Sequence, residues 1–305
     1  MIRSDFLLQG LDKSSCKGVE IGPWYNPVAP KREGWQSTVI DFKDGTSLIN
    51  AALGHTDESI RNLAHQVEDV DIVWKGERLN ILLSEHGVHE LDFFISSHCL
   101  EHVVDLIDHL QGIQAALKPE GRVCLALPDL RYTFDFFRNP STLADALRIN
   151  RSKSERHSSE TLFDQILNSV HINNMGCWSP TDTFQRAVFT EPIETAWQYY
   201  LDDQQRDFYV DIHAWCFVPA SFQLLMVDLA RLNLIDLVVT KLASDKEGVT
   251  GSEFLVQLEK RPSPTNPIRN MSSDEFNQLR MQLQLSIVSQ LSKRALMAGL
   301  FTNLL

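Results

Sequence analysis

Two carboxylates and a glycine are the first residues whose placement suggests chemistry. Glu20 lies in the run KGVEI (17–21), Gly22 follows it, and Asp41 lies near the end of a second run, STVIDF (37–42). If both runs are strands of one open sheet, Gly22 and Asp41 sit at its carboxyl edge, where such sheets bind ligands. A glycine there lets the backbone approach a ligand with no Cβ in the way. Asp41 follows Glu20 by 21 positions, a spacing at which a carboxylate can accept both hydroxyls of an adenosine ribose. The full G-x-G-x-x-G fingerprint is missing, because Pro23 and Trp24 follow the only glycine. A pyrophosphate needs a close turn and exposed helix N–H groups, so a dinucleotide is disfavoured. A ligand with ribose and adenine but no phosphate suits the combination.

The elements that must hold these residues are legible as alternating patterns. The runs 17–21, 37–42, 69–73, 91–96 and 122–127 read as buried strands. Val103, Leu106, Ile107, Leu110, Ile113 and Leu117 recur at helical spacing, and KPEG (118–121) predicts the stop of that helix. Ile60, Leu63 and Val67 form a shorter stripe with Thr56 as its expected cap. Strand and helix alternation predicts an α/β fold with parallel βαβ units. Residues 131–210 break the rhythm with polar, aromatic and histidine-rich sequence, including a helical patch at 158–170. Pro219 then opens a further helix, and the runs 235–242 and 252–259 predict a terminal hairpin across the turn 243–251. The count is seven strands. RPSPTNP (261–267) reads as a stiff linker. Ser272 and Glu275 have capping-box spacing before a stripe of Phe276, Leu279, Leu283, Ile287 and Leu291. That helix either packs on its own domain or contacts a partner, such as a second copy in a homodimer.

Composition excludes several classes. The 305 residues carry a formal net charge of −12 without a sustained basic run, which disfavours nucleic acid as a partner. Five scattered cysteines without a C-x-x-C pair indicate neither a disulfide framework nor a zinc site. No metal is expected despite ten histidines. Without an apolar run long enough for a signal or a membrane span, the expected location is cytoplasmic.

The segments VEIGP, VIDF, ISSHCLEHVVD and LKPEGRVCLALPD resemble successive motifs of class I S-adenosylmethionine-dependent methyltransferases. The similarity covers about residues 17–129 and resumes near 211–260. EIGPWYNPVAPK, VDIVWKGERL, LPDLRYTFDFFR and DIHAWCFVPASF further resemble a bacterial subgroup associated with surface polysaccharide assembly. The resemblance implies a Rossmann-like, mostly parallel seven-stranded sheet with helices on both faces and a helical insertion after strand 5. It implies a cofactor core over 1–130 and 211–260, an acceptor lid over 131–210, and a linker with a C-terminal helix over 261–305. S-adenosyl-L-methionine is the implied cofactor. Glu20 and Gly22 would frame its methionine end, Asp41 its ribose, Trp74 and Gly76 its adenine, with Ser97 and His98 where cofactor and acceptor meet. The departure from the family pattern is the Pro-rich loop after Gly22, where a glycine turn and a helix are usual.

Methyl transfer from a sulfonium needs an aligned acceptor and, for a hydroxyl, a base. His213, preceded by Asp211 where the chain returns to the sheet, is the first candidate base, and Asp129 the second. Arg131, Tyr132, His157 and Trp178 are candidate acceptor contacts, suited to a saccharide or another small polar hydroxyl compound. Each has a packing role as its alternative, as do Glu101 and His102 at the expected start of a helix. Two rival functions stay open: a catalytically silent interaction module in a glycan-assembly complex, and a dinucleotide oxidoreductase.

Overall fold

The computed structural model describes residues 3–179, 187–206, 208–244 and 251–298. Its strands are β1 (Lys17–Ile21), β2 (Gln36–Asp41), β3 (Ile72–Val73), β4 (Leu91–Ser97), β5 (Leu117–Pro128), β6 (Val170–Ile172), β7 (Ala187–Phe189), β8 (Leu237–Ala243) and β9 (Glu253–Lys260). Its helices are α1 (Arg3–Leu7), α2 (Gly45–Leu53), α3 (Glu58–Leu63), α4 (Leu79–Glu85), α5 (Leu106–Ala116) and α6 (Leu143–Ser152). They continue as α7 (Ser159–Asn168), α8 (Ile193–Asp203), α9 (Pro219–Arg231), α10 (Pro267–Asn270) and α11 (Ser273–Ala298). Seven strands form one sheet in the order β3-β2-β1-β4-β5-β9-β8. The first five are parallel, and β9 runs antiparallel to both β5 and β8. The expected terminal hairpin is therefore present, although residues 245–250 of its turn lie outside the described residues, as does the chain end 299–305.

The sheet is buried on both faces, which is why its strands read as near-continuous apolar runs. On one face Val19, Ile21, Phe94, Val123 and Leu125 pack with α4, α5 and α9 through Leu82, Leu110 and Phe222. On the other, Phe93, Ile95, Cys124 and Ala126 are covered by Phe6 and Leu7 of α1 and by Val28 and Ala29. Part of that face is thus sealed by the Pro-rich segment and α1. Gly18 is required beneath it, since a Cβ there would lie 2.4 Å from the Phe93 carbonyl oxygen.

Several boundaries differ from expectation for local reasons. Asp57, not Thr56, caps α3, its carboxylate accepting the Ser59 N–H. Lys118–Gly121 belongs to β5 and does not form a separate helix stop; the chain turns extended at Leu117, and the β4–β5 register shifts between Leu91 and Phe93. The segment 261–267 is anchored and not a free spacer. Fully buried Asn266 caps α10, and Arg269 binds the carbonyls of Ala230 and Ile235 and the Asp236 carboxylate. The capping box of Ser272 and Glu275 is present. The stripe Phe276, Leu279, Leu283 and Ile287 packs into the chain's own core, with Arg280 paired to Asp228 of α9. The stripe that suggested a dimer is therefore used within the chain. No helix among the described residues is long and apolar enough to cross a membrane.

Candidate active site

The opening of the site is set by Glu20. Buried in β1, it accepts the Val28 N–H at 2.6 Å and the Ala29 N–H at 2.9 Å, one on each carboxylate oxygen. Burial pushes its carboxyl up to about 7 despite these bonds. Glu20 thus grips the far end of the loop and does not itself face the sheet edge. At the near end the Gly22 N–H bonds the Ile40 carbonyl, and its φ of +64° needs glycine. A Cβ at Gly22 would lie 2.2 Å from Cys99 Sγ, so the turn after β1 packs tightly on the turn after β4.

Asp41 ends β2 with Oδ1 accepting the Phe42 N–H at 2.8 Å and Oδ2 a weaker 3.4 Å contact from the Trp24 N–H. Burial pushes it up to about 6, partly offset by those two donors. Its register partner in β3 is Val73, 37% exposed, and the next residue, Phe42, is 64% exposed. Gly76 has open space around the position of a Cβ. A carboxylate with acceptor capacity to spare, an apolar shelf beside it and a glycine without neighbours fit an adenosine. Trp74 is held by its own bond, Nε1 to the Glu77 carbonyl, with its ring 5.8 Å from that of His109.

At the end of β4, Ser97 and His98 belong to a chain of charged groups. Arg3 of α1 donates to Ser97 Oγ at 3.2 Å and to both oxygens of Glu253. Glu253 Oε2 lies 2.7 Å from His98 Nε2, and His98 Nδ1 lies 3.5 Å from Glu101 Oε1. Burial alone would lower His98, but the two carboxylates outweigh it and raise the imidazole to about 9. Arg3 and Glu253 carried no signal in the sequence, because they flank the site from opposite ends of the chain.

Glu101 and His102 lie in a 3-10 turn, Leu100–His102, and not at a helix start; α5 begins later, capped by Asp105. The Glu101 carbonyl accepts the N–H groups of Ala214 and Trp215, and the buried Trp215 indole donates to the Val103 carbonyl at 2.7 Å. This stitch places His213 beside Glu101 and His102, with the rings of His102 and His213 4.8 Å apart. His213 Nδ1 lies 2.6 Å from Asp135 Oδ2, its N–H bonds Gln165 Oε1, and its carbonyl accepts from Arg138. Asp135 is held low, its burial outweighed by His213 and Arg138. His102 Nδ1 is 2.9 Å from Asp211 Oδ1, close but poorly angled for a hydrogen bond. Asp135, a loop acid 78 positions from His213, went unnoticed in the sequence; only the fold pairs them.

The other predicted residues are placed differently. Asp129 and Arg131 are each 1% exposed and paired, Arg131 Nε and Nη2 bonding the two Asp129 oxygens at 2.9 and 2.5 Å. Tyr132 and Trp178 are buried with Phe136, Val170 and Ile172 in a core of the insertion. His157 bonds the His102 carbonyl through Nε2 at 3.1 Å, and burial pushes it down to about 4. The structure thus converges Gly22, Asp41, His98, Glu101, His102 and His213 on one sheet edge, and gives Asp129, Arg131, Tyr132 and Trp178 packing partners.

The methyltransferase domain family matches residues 10–188. No curated protein matches the chain. Among solved structures it is similar to the mitomycin 7-O-methyltransferase MmcR, at 13% identity and a TM-score of 0.39, over 85% of this chain and 53% of that one. It is also similar to an S-adenosylmethionine-dependent methyltransferase from Mesorhizobium loti, at 12% identity and a TM-score of 0.38, over 84% of this chain and 97% of that one. The methyltransferase CcbJ from Streptomyces caelestis is a third, at 11% identity and a TM-score of 0.42, over 85% and 94%. The chain spans about half the length of the mitomycin enzyme it matches. With more than half of its residues matched by the family, over the stretch that carries the β1 loop, Asp41 and the β4 turn, this chain belongs to the methyltransferase domain family and is an enzyme whose cofactor is S-adenosyl-L-methionine.

Proposed function

We propose that the enzyme O-methylates a saccharide or another small polar hydroxyl compound in the cytoplasm, with residues 131–210 as acceptor lid on the core 1–130 and 211–260. Residues 261–291 are a brace on that core. The observation that carries this reading is the pair His213 and Asp135 beside the cofactor edge. With Nδ1 committed to Asp135 at 2.6 Å, the nitrogen left to accept a proton is Nε2. Asp41 would hold the cofactor's ribose, Trp74 and Gly76 its adenine, and Gly22, Ser97 and His98 its methionine end, with Glu20 fixing the loop. Bound S-adenosylmethionine supplies a methyl already activated on a sulfonium. The protein's work is to seat the acceptor, exclude water and let His213 take the hydroxyl proton.

Exposed aromatic side chains of the lid support a sugar-like acceptor. Trp197, Tyr199 and Tyr209 are about half exposed, and Trp197 stacks on Tyr200 with ring centroids 5.2 Å apart. Such rings cover the apolar faces of sugars. The test is transfer of labelled methyl from S-adenosylmethionine to a panel of nucleotide sugars and glycans. Transfer that His213→Ala abolishes, with S-adenosylhomocysteine affinity retained, is expected. Cofactor binding without transfer to any hydroxyl acceptor would favour the silent interaction module.

A further inference from the structure

We propose that Glu101, His102 and His213 form a binding site for one divalent transition-metal cation. One ring nitrogen of each histidine and a carboxylate oxygen of Glu101 lie within 4.8 Å of one another. Glu101 is 1% exposed, and among the described residues neither of its carboxylate oxygens has a hydrogen-bond partner. A buried carboxylate without hydrogen bonds is costly and is normally paired or bound to a metal. Its nearest cationic neighbours, His98 Nδ1 at 3.5 Å and His102 Nε2 at 3.8 Å, make ion-pair contacts without hydrogen-bond geometry, so the carboxylate keeps both oxygens for a ligand.

The second observation is how the two histidines are held. His213 bonds the Asp135 carboxylate through Nδ1 at 2.6 Å, and His102 Nδ1 stands 2.9 Å from Asp211 without hydrogen-bond geometry. Metal-bound histidines show the first arrangement, in which an outer carboxylate fixes the ring and leaves the other nitrogen to the ion. The nitrogen His213 has left to offer is Nε2, and His102 turns its own Nε2 to Glu101. The backbone is fixed as well: the His102 carbonyl accepts from both Tyr209 Oη and His157 Nε2. Metal bonds of about 2.0–2.2 Å set ligand atoms roughly 3.4 Å apart, so closing the site takes about an ångström of side-chain rotation. His102, with its side chain 27% exposed, has room to make it.

Two imidazoles and one carboxylate suit zinc, iron, manganese or cobalt in the divalent state better than calcium or magnesium. Three protein ligands leave a coordination position open. The site's role, unlike its existence, rests on reading this crevice as the seat of the acceptor. The acceptor hydroxyl then occupies the open position, where a divalent cation lowers its pKa. In the cation-loaded enzyme His213 Nε2 is a ligand and the O–H proton passes to solvent; His213 is the proton acceptor of the cation-free enzyme. The alkoxide oxygen forms the new O–CH3 bond as the S–CH3 bond breaks, leaving neutral S-adenosylhomocysteine.

The test is calorimetric titration of the chelator-stripped full chain with CoCl2, read in parallel by visible absorption. The expected result is one Co2+ per chain with ligand-field bands of nitrogen and oxygen coordination, displaced by ZnCl2. Glu101→Gln and His213→Ala should each weaken binding at least thirtyfold, while His89→Ala, on the exposed surface, leaves it unchanged. Thermal unfolding of each variant checks folding, and the partly exposed His102→Gln serves if Glu101→Gln does not fold. Absence of saturable binding up to millimolar Co2+, or binding equally strong in folded ligand variants, would overturn the site. Titration of the same metal-free protein with S-adenosylhomocysteine separates the two claims. Cation binding without nucleoside binding sinks the functional reading and keeps the site; nucleoside binding without cation binding does the reverse.

Discussion

Glu20→Gln tests whether the Pro-rich loop is held as described. In the native protein the carboxyl is buried under the loop and raised from an ordinary 4.5 to about 7. The folded state therefore holds the proton more tightly than the unfolded chain does. Between those two values the folded chain carries more protons than the unfolded one, so stability falls as pH rises from 4.5 to about 7 and is level beyond. The displacement corresponds to on the order of 3 kcal/mol lost across that window. Glutamine does not titrate, and it presents an amide N–H2 to one of the two backbone donors, Val28 or Ala29. Urea unfolding at pH 5 and pH 8 of both proteins isolates the effect, because every other titrating group is shared. The native protein should lose roughly 2–3 kcal/mol more than Glu20→Gln between the two conditions. Equal losses would refute the placement of Glu20 beneath the loop.

Other outcomes follow from the same geometry. Asp41→Asn should weaken S-adenosylhomocysteine binding at least tenfold, about 1.4 kcal/mol, by calorimetry at pH 8. Since burial raises Asp41 to about 6, native affinity should fall as pH drops through 6 while that of Asp41→Asn stays level; parallel profiles would remove Asp41 from the site. His213→Ala should abolish turnover with cofactor affinity changed less than twofold, and retained turnover would dismiss His213. Trp215→Ala removes a buried indole and its bond to the Val103 carbonyl, which should cost about 3–5 kcal/mol in urea unfolding. A loss below about 1 kcal/mol would show that Trp215 does not stitch 213 to 101.

Much of the sheet was legible because its strands are buried on both faces and short. Runs such as LDFFIS and RVCLAL have no periodicity to confuse, and the intervening α5 has a clear stripe. Three residues at the carboxyl edge of the sheet, Gly22, Asp41 and His98, could be placed from their position at strand ends. What was hidden depends on long-range closure. Glu20 looks like a ligand-facing acid, yet its length lets it reach two backbone donors eight and nine residues on. Asp129 and Arg131 read as free site groups because sequence does not show that residues two apart can close a bidentate pair. Tyr132 and Trp178 carry the aromatic character expected of acceptor contacts, but the insertion needs them for its own core. His98 and His102 have the four-residue spacing of a metal pair, a signal that the expectation of no metal passed over. In the turn His98 goes to Glu253, and His102 meets a histidine 111 positions away.

The most direct test of the account is calorimetric titration of the purified chain with S-adenosylhomocysteine at pH 8. Saturable binding at micromolar concentration, one per chain and weakened tenfold or more by Asp41→Asn, is the predicted result. No binding under these conditions would contradict the central claim that a loop stiffened by proline and gripped by Glu20 forms a working cofactor site.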